Sequence, residues 1–222
     1  MRFVYYKRFK FLRVAALATI VGCLTSVVAA NAKDGPIRIV ALGDSLSAGY
    51  QLPASAAFPN VLQREIAKTR KNVTVDNAGV SGDTANDGLA RLDWSVGDGV
   101  DAVILELGAN DMLRGVAPSI TREALDKILS ALKARGVKVL LAGMLASPSM
   151  GQAYAAEFNA IYPELATKYG VVFYPFFLDG VVADRSLLLS DGMHPNRAGV
   201  ERIVAGIMPQ VVELLAAIDA RH

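Results

Sequence analysis

From residue 37 onward, the apolar positions fall in short β-branched runs that alternate with longer stretches of helical spacing. Ile37-Arg38-Ile39-Val40-Ala41-Leu42 reads as a strand that stops at Gly43. Phe58, Leu62 and Ile66 then recur at helical spacing within residues 56–69. Pro59 there suits a first turn, where a missing N–H breaks no bond. The alternation continues with strands at 73–76, 101–107, 137–142 and 171–174, separated by helices at 84–92, 118–135 and 150–169. Gly136 and Gly170 supply helix stops, and Ser119 or Thr121 a cap for the helix at 118–135. A last helix at 195–219 carries Val200, Ile203, Val204, Ile207, Val211 and Leu215 along one side, with Pro209 as a kink point. Strands that alternate with helices predict an α/β chain: a three-layer α/β/α body around a five-stranded parallel sheet. In such a sheet the working groups lie beyond the carboxyl ends of the strands. The pattern contains no internal repeat, no low-complexity linker and no second domain.

Residues 1–32 read differently. Arg2, Lys7, Arg8, Lys10 and Arg13 form a basic stretch without an acidic residue, Val14 to Val28 is uncharged and largely apolar, and Ala30-Asn31-Ala32 fits a small-x-small cleavage site. The expectation is a signal peptide engaging the export machinery, followed by one domain over residues 33–222 that begins near Lys33 in the periplasm or outside the cell. Two alternatives share the segment: a retained membrane anchor, and a lipoprotein whose Ile20-Val21-Gly22-Cys23 box places the lipid on Cys23. The leader also changes the charge. The whole chain is formally +2, but without these five cations 18 Lys and Arg stand against 21 Asp and Glu, or −3, so the basic balance does not point to nucleic acid. Cys23 is the sole cysteine, so residues 33–222 have no disulfide, thiolate nucleophile or Cys-based metal site. The 53% hydrophobic composition excludes a disordered chain.

Histidine is the scarcest chemistry. There are two, and His222 is the terminal residue, so imidazole proton transfer near neutral pH falls to His194. His194 lies in Ser190-Asp191-Gly192-Met193-His194-Pro195-Asn196, where Pro195 can open the last helix and a tight turn can bring Asp191 to one ring nitrogen, leaving the other for a nucleophile. A surface loop histidine beside a helix cap fits the same spacing. Ser45, in Leu42-Gly43-Asp44-Ser45-Leu46-Ser47, sits at the first strand's exit; a hydroxyl there is a weak nucleophile without a base, and a serine there can equally be an N-cap. The Gly-x-Ser-x-Gly elbow of another hydrolase fold is absent. After the second and third strands, the Gly82 N–H and the Asn110 carboxamide are donors suited to a developing oxyanion, although Gly-rich turns and an Asn110-Asp111 loop cap are also ordinary structure.

Taken in order, Gly43-Asp44-Ser45-Leu46-Ser47, Gly82 within Ser81-Gly82-Asp83-Thr84, Asn110 within Gly108-Ala109-Asn110-Asp111, and Asp191-Gly192-Met193-His194-Pro195 resemble the four blocks of the SGNH or GDSL hydrolase superfamily. They are most similar to its bacterial branch of multifunctional thioesterase, protease and lysophospholipase enzymes. The resemblance spans about residues 37–215 and implies the flavodoxin-like SGNH fold. It also implies Ser45 as nucleophile, His194 as base, Asp191 as the acid behind it, and an oxyanion hole of Ser45 N–H, Gly82 N–H and the Asn110 side chain. Ala109, where that branch often has glycine, is the chief departure and bears on substrate preference. The mechanism so implied requires no metal or organic cofactor, and no obligate protein partner is expected.

Met112 and Leu113, Met144 and Leu145, and Phe176 and Phe177 place apolar atoms in segments following the third, fourth and fifth strands, which suits an acyl chain better than a sugar. Packing of these segments on the sheet is the plainer reading. The expected activity is hydrolysis of a small-molecule acyl ester or thioester, lysophospholipid included, through a Ser-His-Asp triad and an acyl-enzyme. An extracellular carbohydrate acetylesterase is the enzymatic alternative, and a noncatalytic ligand-binding module the one from another class. No Gly-x-Gly-x-x-Gly or phosphate-binding Gly-Lys-Ser/Thr loop is present.

Overall fold

The computed structural model describes Met1 and residues 35–220. Beyond Met1, the expected leader at 1–32, with Cys23 and its cleavage site, lies outside the described residues, as does His222. Five strands form one sheet: β1 (Ile37–Gly43), β2 (Val73–Gly79), β3 (Ala102–Glu106), β4 (Lys138–Ala142) and β5 (Val172–Tyr174). All neighbours are parallel, in the order β2-β1-β3-β4-β5. Two helical layers enclose them, and the flavodoxin-like three-layer architecture is the one the alternation predicts. In one layer α2 (Phe58–Ile66) packs against α8 (Arg197–Asp219). In the other α6 (Pro118–Ala134) packs between α3 (Ala85–Ala90) and α7 (Gln152–Tyr169). Burial on both faces explains why β3 reads as an unbroken apolar run up to Glu106, with every one of its residues buried.

Three short helices were invisible in the pattern. Ser45 is the first residue of α1 (Ser45–Ala48), α4 is Leu92–Ser95, and Asn110 lies in α5 (Ala109–Leu113). The cap expected at Ser119 or Thr121 is not made. α6 starts from Ala117 with Pro118 in its first turn and no side-chain cap, while Thr121 is buried and donates its hydroxyl to Asp111 Oδ1 at 2.9 Å. α8 begins after Asn196, whose side chain accepts from Gly199 N–H, so Pro195 precedes the cap, and the helix runs on through Pro209.

Parallel register sets the level of the site. Gly43 pairs with Gly79 on one side and Glu106 on the other, so β1, β2 and β3 end together and their exits share one edge.

Candidate active site

The turn that carries Ser45 is built on a buried carboxylate. Asp44 is fully buried and caps α1, accepting the Leu46 N–H through Oδ1 at 2.9 Å. Its other oxygen accepts from Asn110 Nδ2 at 2.9 Å, which ties the exit of β1 to that of β3. One amide hydrogen of Asn110 is thus anchored and the second remains available. From below, the buried Glu106 carboxylate accepts from Ser47 Oγ at 2.7 Å and from Asp44 N–H at 3.3 Å; Glu106 Oε1 has no partner among the described residues. Gly43 has to be glycine here, because a Cβ would stand 2.2 Å from Ser47 Oγ and 2.5 Å from Glu106 Oε2.

Across the cleft, Asp191 folds the segment before α8 into a tight turn. Its Oδ1 accepts the N–H groups of Met193 and His194 at 2.9 and 3.0 Å, and its Oδ2 lies 2.7 Å from His194 Nδ1. His194 Nε2 lies 2.9 Å from Ser45 Oγ, although 149 positions separate the two residues. Backbone donation from Met193 and His194, then the imidazole contact, lower the Asp191 pKa to about 2, so this group accepts and never donates above that pH. Facing that acceptor, Nδ1 is the donor, and in the neutral tautomer this assigns, the Nε2 lone pair is turned to the serine hydroxyl. Tyr50 lies against the imidazole, ring centroids 4.5 Å apart.

Gly82 holds φ at +92°, a left-handed conformation that favours glycine, and its carbonyl accepts from Arg114 Nη2 at 2.6 Å. Neither the Ser45 nor the Gly82 N–H has a hydrogen-bond acceptor among the described residues. Asp111 couples the second and third exits: Oδ2 accepts the Ala85 N–H at 2.8 Å while Oδ1 holds Thr121. No three His, Cys, Asp or Glu side chains gather to hold a metal among the described residues.

The six apolar residues expected at an acyl site divide. Leu113 and Leu145 are exposed, and Met112 and Phe176 are half-buried. Met144 and Phe177 belong to the core, Phe177 packing edge-on against Phe58, because their segments turn these side chains inward. Tyr50 and Met193, exposed beside His194, were missed; their adjacency to the motifs was the available signal. Glu106 was read only as a strand residue.

Residues 41–202 match the GDSL-like Lipase/Acylhydrolase family. An arylesterase of Vibrio mimicus is 36% identical over 194 residues, 87% of this chain and 94% of its own. Thioesterase 1/protease 1/lysophospholipase L1 of Escherichia coli K12 is 41% identical over 160 residues, 72% of this chain and 76% of its own. The solved structure of TesA superposes with a TM-score of 0.76 at 34% identity, covering 80% of this chain and 99% of that one.

Burial raises the Asp44 pKa from 3.8 to about 6, against the Leu46 and Asn110 hydrogen bonds, and burial followed by the Asp44 charge holds Glu106 well above the carboxylate range. A raised acid binds its proton more tightly in the fold. Its contribution to stability is full below pH 3.8 and is lost as pH rises through about 6. In urea titrations, the stability of Asp44→Asn relative to the native protein should rise by on the order of 2–3 kcal/mol between about pH 4 and about pH 7. A difference independent of pH contradicts the buried charge.

Proposed function

The chain belongs to the GDSL-like lipase/acylhydrolase family, and from that premise we propose that it is a serine ester hydrolase in which Ser45, His194 and Asp191 form the triad. The observation that carries this reading is the continuous path from Asp191 Oδ2 to His194 Nδ1 at 2.7 Å and from Nε2 to Ser45 Oγ at 2.9 Å. A hydroxyl becomes a useful nucleophile when its proton has a base to go to as the oxygen attacks, and Nε2 is within that reach. Ser45 Oγ bonds to the acyl carbon and its proton moves to Nε2. The carbonyl oxygen, now carrying the charge, takes the N–H groups of Ser45 and Gly82 and the second amide hydrogen of Asn110. Collapse expels the alcohol or thiol, protonated from Nε2. Water then enters with His194 as base, releasing the acid and restoring Ser45. Asp191, ionised throughout, stabilises the imidazolium at the intermediate steps.

The substrate is a small acyl ester or thioester. Exposed apolar groups stand next to the site residues or after the neighbouring strand: Tyr50 against the imidazole, Met193 adjacent to His194 in the chain, Leu113 in the helix of Asn110, and Leu145 after β4. They favour acyl chains longer than acetyl, lysophospholipids among them. The arylesterase and thioesterase names of the relatives support the same breadth. We further propose that residues 1–32 direct export, supported by the basic, then apolar, then small-residue order of the segment; among the described residues no helix is long and apolar enough to cross a membrane.

Ser45→Ala should lower kcat on aryl and thioester substrates by on the order of 10⁴ to 10⁶, and Asn110→Ala by about 10² to 10³. Undiminished turnover in Ser45→Ala removes the nucleophile. Across a series of acyl lengths, activity should extend beyond acetyl; activity confined to acetyl esters points instead to polysaccharide deacetylation. Mass analysis of the exported protein should place its first residue at Lys33, and a lipidated Cys23 or an intact leader contradicts that cleavage.

A further inference from the structure

Arg91 stands between α3 and α4, only 8% exposed, with its guanidinium beneath the three segments that meet at the site. Its Nε donates to Asp83 Oδ2 at 2.5 Å, next to Gly82 in the chain. One terminal nitrogen donates to Ala78 O at 2.8 Å and Ser95 Oγ at 3.0 Å, and the other to Gly43 O at 2.8 Å. Gly43 is two residues before Ser45, Ala78 lies at the end of β2, and Asp83 directly follows Gly82, the proposed oxyanion donor. Val80 N–H also donates to Gly43 O at 3.1 Å, the last bond of the β1–β2 ladder, so Arg91 grips the carbonyl at which that ladder ends.

We infer that Arg91 is a positioning residue for the hydrolysis, fixing the Gly82 N–H relative to Ser45 by holding the exits of β1 and β2 and the oxyanion loop on one planar group. The inference rests on the roles proposed for Ser45 and Gly82. A rigid, planar fork of five N–H groups can serve four partners at set angles, whereas a lysine ammonium acts as a point charge on a flexible stem. Separation of nucleophile and oxyanion donor matters mainly in the transition state, where an offset of about 1 Å can cost about 10²-fold in rate. None of Arg91's hydrogen-bond partners is one of the apolar groups proposed to take the acyl chain.

Arg91→Lys keeps the charge and loses the fork, while Asp83→Ala leaves the strand contacts and cuts the tie to the loop. Each should lower kcat per folded enzyme by about 10²-fold with KM within a few-fold of the native value. The affinity for an alkylboronic acid, whose tetrahedral adduct on Ser45 mimics the intermediate, should fall in parallel. Low guanidinium chloride should restore part of the kcat of Arg91→Ala, and equimolar sodium chloride should not. If the Arg91 variants do not fold, Asp83→Ala decides. Native kcat and boronate affinity in either folded variant, or a change confined to KM or melting temperature, overturns the inference. Turnover surviving in Ser45→Ala also overturns it, by removing the nucleophile reading beneath it, and is recognised separately because it appears with Arg91 intact.

Discussion

Parallel pairing in register is the constraint on which the site depends. Because Gly43 is opposite both Gly79 and Glu106, three strands release the chain at the same level, and Ser45, Gly82, Asn110, Asp191 and His194 are each delivered from a strand exit or from the turn before α8. A register slip of one residue on any of these strands would turn its side chains to the other face of the sheet and its exit out of line. The apolar core around β3 and β4 fixes that register, so packing energy and catalytic geometry are set by the same residues.

The polar network at this edge is unusually deep. Asp44 and Glu106 put two carboxyl groups in a region with little water, one capping α1 and anchoring Asn110, the other holding Ser47 from beneath. Burial opposes ionisation of both, and their mutual repulsion opposes the second charge, so the pair is least costly with Glu106 neutral and at most one charge in all, on Asp44. Asp191 is the reverse case: exposed, surrounded by donors and ionised far into acid. One acid thus holds the His194 imidazole, and the other holds the Asn110 side chain.

Much of this was legible in the chain. The five strands and five longest helices announce themselves by apolar period, and Ser45, Gly82, Asn110, Asp191 and His194 stand in motifs whose order matches the observed convergence of strand exits. What the pattern hides has physical reasons. α1 and α5 are too short to show a 3.6-residue repeat. Thr121 looked like a cap because spacing along α6 cannot show that Asp111, ten residues earlier in α5, accepts its hydroxyl. Glu106 draws its importance from Ser47 and Asp44, 59 and 62 residues away, and Arg91 joins its near neighbours in the chain to Gly43 O, 48 residues away. Met144 and Phe177 resemble Leu113 and Leu145 in sequence, and only packing separates the buried pair from the exposed one.

The central claim is that the Ser45 hydroxyl owes its nucleophilicity to the imidazole 2.9 Å away. Its most direct measurement is the second-order rate of organophosphonate labelling, with the adduct mapped, in the native protein and in His194→Ala across pH. The account predicts a single adduct on Ser45 and a rate about 10² to 10⁴ times lower in the variant. An adduct on another residue, or labelling of Ser45 at the native rate without the imidazole, would contradict it.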